Sequence, residues 1–143
     1  MRKALRIKTP EYKFQTAMLI DDNEMDNFIN QKIMEAVNFA GEIYTNTNGL
    51  SALEFLKNLY IKQDNLTEML PDVIFVDLNM PLINGFQFIE QFYLLPNVFA
   101  DTCKIVILTS SLNEEDKSIA KKLNPNIAFL NKPLTEEALL SVC

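Results

Sequence analysis

Five short apolar runs occur along the chain, and each is followed by a segment in which apolar residues return every three or four positions. Most of the runs are continuous rather than alternating, which is typical of strands that are buried on both faces of a sheet. Strands that alternate with helices indicate an α/β fold with a parallel sheet, right-handed crossovers and helices on both faces. The predicted strands are residues 17–20, 43–45, 73–76, 104–108 and 127–130.

The predicted helices are amphipathic, with an apolar stripe that we assign to the core side. In the first helix the predicted inward-facing residues are Met25, Phe28, Ile29, Ile33, Ala36 and Val37, and the outward-facing ones are Asp26, Asn30 and Gln31. The predicted inward-facing residues of the second helix are Leu50, Leu53, Phe55, Leu56 and Leu59. Those of the third helix are Phe88, Ile89, Phe92 and Leu95. The fourth helix contributes Ile119 and Leu123, and the fifth contributes Leu139 and Val142.

Capping residues mark several helix ends. Asn84-Gly85 opens the third helix, which is predicted to stop before Pro96. Asn113 or Ser111 can cap the fourth helix, which spans about residues 113–123, and Thr135 can cap the fifth. The connection 62–71 is longer than a small domain needs, and we predict an extended loop or an extra helical turn there.

Composition narrows the possible chemistry. A chain of 143 residues fits one domain. Because it contains no histidine, a histidine-based catalytic triad, a histidine metal site and a role as a histidine phosphodonor are excluded. Cys103 and Cys143 have neither metal-ligand nor disulfide-framework spacing, which favours a reducing compartment.

Charge is distributed unevenly along the chain. The net charge is −6, yet residues 1–13 carry five basic side chains against one acidic side chain. We interpret residues 1–15 as a basic tail and residues 16–143 as the domain. The acidic domain argues against nucleic-acid binding, and no apolar stretch suits a membrane span or a signal peptide. A cytoplasmic protein without nucleic-acid or membrane partners is therefore expected.

Polar residues follow four of the five predicted strands. Asp21-Asp22 end the first, Asp77 the third, Thr109 the fourth and Asn131-Lys132-Pro133 the fifth. Taken singly, each has an ordinary explanation as a helix cap, a turn residue or a solvated lysine. Because ligand sites of open parallel sheets form at the carboxyl ends of the strands, we expect these side chains to converge.

Three convergent carboxylates need cations. Two carboxylates about 4 Å apart repel each other by roughly 4 kcal/mol at an effective dielectric constant of about 20. Lys132 can supply one positive charge, and a hard divalent ion with oxygen ligands, naturally Mg²⁺, can supply the rest. An aspartate in such a site can act as a nucleophile toward a phosphoryl group and form an aspartyl phosphate.

Four motifs together resemble the receiver domain of two-component response regulators, in the single-domain form of chemotaxis regulators. They are Met18-Leu-Ile-Asp-Asp22, Val76-Asp-Leu-Asn-Met-Pro81, Ile107-Leu-Thr-Ser110 and Leu130-Asn-Lys-Pro133, and the resemblance covers about residues 16–143. It implies a flavodoxin-like (βα)5 fold, a doubly wound parallel sheet with strand order 2-1-3-4-5.

The resemblance also implies roles for the residues at the strand ends. Asp77 would be the phosphoacceptor, and Lys132 would contact the phosphoryl group. Mg²⁺ would be bound by Asp22, Asp77 and the main-chain carbonyl of Asn79, with Asp21 assisting, for instance through a water molecule.

A switch is implied as well. Thr109 would be the switch hydroxyl and Phe129 the switch aromatic residue, with a core residue at a strand end as the alternative interpretation of Phe129. Pro133 resembles the proline that often follows a cis peptide bond in this family. Two positions depart from the usual pattern: Phe129 lacks the hydroxyl of the commoner tyrosine, and Asn84 stands where an acidic residue is common.

The implied function is a receiver that accepts a phosphoryl group from a histidine kinase or a histidine phosphotransfer protein. The face made by the fourth helix, fifth strand and fifth helix would then bind a downstream protein target, as a monomer or a phosphorylation-dependent dimer. The only catalysis expected is its own phosphorylation and dephosphorylation. The chain is either a stand-alone receiver or an excised domain.

Three other interpretations remain open. The chain could be a non-phosphorylated scaffold with a receiver fold. It could be an aspartate-nucleophile phosphatase of the haloacid type, although Asn79 occupies the position of the expected second carboxylate. It could also be a flavin-binding module, although the acidic stretch at residues 21–24 would repel a flavin phosphate.

Overall fold

The computed structural model describes residues 11–62, 70–110 and 113–143. Most of the predicted basic tail, the alternative cap Ser111 and most of the long connection at 62–71 lie outside the described residues. The strands are β1 (Phe14–Ile20), β2 (Ala40–Asn46), β3 (Val73–Val76), β4 (Lys104–Thr109) and β5 (Ala128–Asn131). The helices are α1 (Glu24–Ala36), α2 (Gly49–Lys62), α3 (Gly85–Tyr93), α4 (Asn97–Thr102), α5 (Glu114–Leu123) and α6 (Glu136–Leu140).

The five strands form one parallel sheet in the order β2-β1-β3-β4-β5. This confirms the predicted doubly wound fold. Successive residues of the central strands point alternately into two separate cores, so Ile74 and Val76 face one core while Val73 and Phe75 face the other. Burial of both faces explains why the strand sequences are continuous apolar runs. Within the described residues, no helix is long and apolar enough to cross a lipid bilayer.

The prediction for the face of α1 was largely wrong. Met25, Phe28 and Ile29 are exposed, with 64%, 57% and 46% of their surface accessible, whereas Asn30 is buried and Asp26 is partly buried. The helix is anchored instead by Asn27, whose amide donates hydrogen bonds to the main-chain oxygens of Asp21 and Asn46. Satisfying these strand-end carbonyls turns much of the apolar stripe towards solvent, and only the second half of the helix packs on the core.

Other helices follow the predictions more closely, with three corrections. Leu50 and Ile119 are exposed, and Ala120 takes the buried position in α5. The chain also forms a short unpredicted helix, α4, directly after Pro96, because Phe99 finds a place in the core and the fixed φ of proline suits a helix start.

The predicted caps Asn84, Asn113 and Thr135 are confirmed. Each side chain accepts a hydrogen bond from the backbone three residues later, at Gln87, Asp116 and Ala138 respectively.

Leu82 stores backbone strain in the loop between β3 and α3. Its φ is 71°, a left-handed conformation that costs an L-residue with a bulky side chain roughly 1 kcal/mol or more, whereas asparagine tolerates it. Because Leu82 is 73% exposed, its side chain contributes little packing. We expect Leu82→Asn to raise the free energy of unfolding by about 0.5–1 kcal/mol, measured by denaturant unfolding followed by circular dichroism.

The matched control is Leu94→Asn. Leu94 is similarly exposed at 78%, but its φ of −84° is ordinary right-handed backbone. The control should leave stability unchanged or slightly lower. An equal effect of the two substitutions would contradict the assignment of strain to Leu82.

Candidate functional site

Two adjacent strands bring the predicted carboxylates together. β1 and β3 pair in register, with Ile20 opposite Val76, so the residues that follow them, Asp21 and Asp77, lie side by side at the carboxyl edge of the sheet. The Asp77 amide donates to the carbonyl of Ile20 at 3.0 Å, which continues the ladder one step beyond β3. Both aspartates are buried, at 4% and 7% exposure.

Asp22 completes a group of three carboxylates. Oxygen atoms of Asp21, Asp22 and Asp77 all lie within 4.8 Å of one another, and Asp22 is the exposed member. Neither Asp21 nor Asp22 caps α1, because Asn23 takes that role by accepting from the amide of Asp26. An exclusively oxygen donor set that is open on one side fits a hard divalent cation such as Mg²⁺. The three aspartates are thus the residues that could hold such an ion.

Lys132 lies in the same cluster. Its Nζ donates a hydrogen bond to Asp21 and another to Asp26 at 3.0 Å, and it lies 3.7 Å from an oxygen of Asp77. The backbone holds the lysine in place, since its amide donates to the carbonyl of Thr109 at 3.0 Å. The Lys132–Pro133 peptide bond is cis, as the resemblance led us to expect. Lys132 is therefore a partly buried counterion and not a fully solvated lysine.

Burial and charge act in opposition on these groups. Desolvation raises the pKa of Asp21 above its ordinary value, and the hydrogen bonds from Lys132 and from the Asn23 amide only partly offset this. Desolvation alone would lower the pKa of Lys132, but hydrogen bonds to Asp21 and Asp26 and the charge of Asp77 raise it overall. The lysine therefore stays protonated, while Asp21 carries its negative charge at a cost.

Thr109 and Phe129 lie beside this cluster on β4 and β5. Thr109 is fully buried, and its hydroxyl has no hydrogen-bond partner among the described residues. Phe129 is half-buried in β5 opposite Ile107, and the ammonium of Lys121 lies 5.4 Å from its ring centroid. A buried hydroxyl without a partner is costly, so a polar group brought within its reach would relieve that cost.

Gly85 lets α3 approach the site. Its amide donates to the carbonyl of Leu78 at 2.9 Å, and a Cβ at this position would lie only 2.5 Å from the carbonyl oxygen of Asp77. Any larger residue would push the helix away from the loop that carries Asp77.

Asn79, in the same loop two residues after Asp77, is exposed at this edge of the molecule.

Sequence reasoning missed two contributors to the site. Asp26 was predicted to face solvent but binds Lys132, and Asn27 was not singled out although it ties α1 to the end of β1. Helical spacing gave no signal, because Asp26 lies in the first turn of α1 whereas Asp22 precedes the extended N-cap Asn23.

Comparisons with known proteins agree on one family. The sequence model of the response regulator receiver domain family matches residues 17–143. The chain is 30% identical to a two-component response regulator from Cytophaga hutchinsonii, whose crystal structure superposes with a TM-score of 0.79 and covers 90% of this chain and 92% of that one. It is 28% identical over 127 residues to the two-component response regulator 24 of Arabidopsis thaliana, covering 89% of this chain and 80% of the relative. The chemotaxis protein CheY4 of Vibrio cholerae, 24% identical, shares the fold with a TM-score of 0.67 over 90% of this chain and 95% of its own.

The raised pKa of Asp21 has a consequence for stability. A carboxyl group whose pKa is higher in the folded than in the unfolded state favours folding below its unfolded pKa, and this contribution is lost as pH rises through the folded value. We expect Asp21→Asn to be more stable than the wild type at pH 7. The advantage should shrink as pH falls towards the ordinary value of 3.8. Denaturant unfolding of both proteins over a pH series measures this difference.

The matched control is Glu11→Gln, which removes an exposed carboxylate that precedes the amino end of β1, whereas Asp21 follows its carboxyl end. A loss of stability for Asp21→Asn at pH 7, with the control unchanged, would mean that the pairing of Asp21 with Lys132 outweighs its desolvation.

Proposed function

Because this chain belongs to the response regulator receiver domains of two-component phosphorelay signalling, we propose that Asp77 accepts a phosphoryl group in a Mg²⁺-dependent reaction. The observation that carries the proposal is the cluster itself. A buried aspartate lies with two further carboxylates and a protonated lysine at one sheet edge. Such a cluster destabilises the protein unless it binds a cation, which is a reason to interpret it as a functional site.

The metal would be held by this chain's carboxylates. Asp22, Asp77 and the main-chain carbonyl of Asn79 would bind Mg²⁺, with Asp21 assisting from its buried position. When bound, the ion supplies positive charge for the equatorial oxygens of the transferring phosphoryl group. Lys132, whose Nζ lies 3.7 Å from an oxygen of Asp77, would contribute the same kind of neutralisation.

Phosphoryl transfer would proceed at the carboxylate of Asp77. A carboxylate oxygen attacks phosphorus, the new P–O bond forms, and the P–N bond of a donor phosphohistidine breaks. The imidazole nitrogen leaves with the electron pair of that bond and takes a proton. Since this chain has no histidine, the donor imidazole belongs to a partner, namely a histidine kinase or a histidine phosphotransfer protein.

A small-molecule phosphodonor tests this chemistry directly. Incubation with acetyl phosphate and Mg²⁺ should add one phosphoryl group to the wild type, and a chelator should prevent the addition. Asp77→Asn should gain nothing, because an amide is not a nucleophile for this reaction. Intact mass measures the outcome.

The matched control is Asp101→Asn, which changes an exposed aspartate of α4 in the same way. It should be phosphorylated like the wild type. A folded wild type that binds Mg²⁺ but is not modified by acetyl phosphate or by any histidine phosphodonor would favour the non-phosphorylated scaffold. Turnover of an external phosphoester would favour the phosphatase. We propose neither alternative, because the cluster holds the carboxylates and the lysine that phosphorylation needs, and because Asn79 supplies no general acid for a phosphatase.

The proposal extends to a switch at the β4–β5 edge. The phosphoryl group would draw the Thr109 hydroxyl towards it, and Phe129 would rotate into the space that opens. Two observations support this coupling: the Thr109 hydroxyl has no hydrogen-bond partner within the described part of the chain, and the ring of Phe129 is half-buried. The surface of α5, β5 and α6 would change with it and bind a downstream protein in the cytoplasm, as a monomer or a phosphorylation-dependent dimer.

A fluorescent reporter tests the switch, because the chain contains no tryptophan. In Phe129→Trp, phosphorylation should move the indole inwards and shift its emission to shorter wavelength. Adding Thr109→Ala should abolish the shift while the gain of one phosphoryl group, checked by intact mass, persists.

The control reporter is Tyr12→Trp, near the opposite end of the sheet. Tyr12 is 46% exposed beside the start of β1, and its emission should not respond. A full emission shift in the Thr109→Ala protein would refute the coupling between Thr109 and Phe129.

A further inference from the structure

Lys132 divides its hydrogen bonds in a way that the proposed reaction alone does not require. An ammonium group has three donors. Two of them go to Asp21 and to Asp26, while Asp77 lies 3.7 Å away, outside hydrogen-bond range. In the resting protein the lysine is thus hydrogen-bonded to two neighbours of the acceptor, while its contact with the acceptor itself is a looser ion pair at 3.7 Å.

We propose that Asp26 is a positioning residue that keeps Lys132 from hydrogen-bonding to Asp77. A phosphoryl group on Asp77 then replaces Asp26 as a partner of the lysine. The inference rests on the proposed phosphorylation of Asp77. On phosphorylation, Lys132 would exchange the Asp26 carboxylate for an oxygen of the phosphoryl group while it keeps Asp21. Asp26 therefore favours the unphosphorylated form.

The backbone around Asp26 is well fixed for this role. Its amide donates to the side chain of Asn23 at 3.0 Å, which closes the first turn of α1. One residue later, Asn27 ties the same turn to the carbonyl of Asp21 at 3.0 Å. The carboxylate of Asp26 is thus presented to Lys132 from a turn that is anchored to the site itself.

Exposure makes the Asp26 contact the one that can be released. The side chain of Asp26 is 36% exposed, whereas that of Asp21 is 6% exposed. An uncompensated carboxylate costs little where water can reach it and much where water cannot. When Lys132 moves, Asp26 can be hydrated, but Asp21 cannot be left without its partner. The exchange should therefore occur at Asp26.

Beryllofluoride, a mimic of the phosphoryl group on aspartate, measures the effect as an affinity. We would titrate BeF₃⁻ with Mg²⁺ present into the wild type and Asp26→Asn, and follow the bound form by ¹⁹F NMR. Removal of the competing carboxylate should tighten binding roughly threefold, the size expected for a partly exposed ion pair. The rate of phosphorylation by acetyl phosphate should rise to a similar extent. A merely structural role of Asp26 would predict weaker binding.

Four further proteins make the result specific. Glu24→Gln removes an exposed carboxylate from the same first turn of α1 and should stay near the wild type, which controls for general electrostatics. Asp26→Glu keeps the carboxylate and should return towards the wild-type affinity. In a Lys132→Ala background the substitution Asp26→Asn should have no additional effect, because the two residues act as a pair.

The outcomes separate this inference from the proposed function. If the wild type binds BeF₃⁻ and Asp26→Asn binds it equally well or more weakly, Asp26 does not restrain Lys132, and phosphorylation of Asp77 still stands. An equal gain in Glu24→Gln would also overturn the inference. If the wild type neither binds BeF₃⁻ nor accepts a phosphoryl group, the proposed function itself fails.

Discussion

The pairing of β1 with β3 is the constraint from which the site follows. Because the two strands are parallel and in register, the residues after their carboxyl ends must lie side by side, and in this chain both are aspartates. Neither can retreat into solvent, since Asp21 and Asp77 continue the hydrogen-bonded ladder through their amides, to Asn46 and Ile20. Two negative charges are thus held together where little water reaches them, and the partly buried ammonium of Lys132 offsets part of their repulsion.

This arrangement lowers the stability of the fold at the sheet edge where the proposed phosphorylation takes place. The two apolar cores hold every strand of the sheet in place, so the edge can carry groups that would not cluster without that support. Asp21 remains a disfavoured charge even with Lys132 beside it, because desolvation dominates its environment. Sites of this kind violate the rules of a well-satisfied interior, and such violations are expected where a protein binds or reacts.

The fold and the strand-end residues could be predicted because they depend on local patterns. Continuous apolar runs identify the strands, and topology then brings their ends to one edge. The orientation of α1 could not be predicted in this way, since it depends on amide hydrogen bonds from Asn27 to Asp21 and Asn46. The role of Asp26 was equally hidden, because its partner Lys132 lies 106 residues away along the chain and no periodicity reports such a contact.

One backbone hydrogen bond links the two halves of the proposed switch. The amide of Lys132 donates to the carbonyl of Thr109 across the β4–β5 edge, so the residue that would neutralise the phosphoryl group and the residue that would bond it share a direct connection. If Asp77 is phosphorylated as proposed, Lys132 moves towards it while Thr109 is drawn in the same direction. The two movements are then compatible within one rigid pair of strands, and Phe129, three residues before Lys132 on β5, is the side chain placed to respond. The movement of Lys132 that neutralises the phosphoryl group and the movement of Thr109 that transmits the signal to Phe129 would therefore occur together.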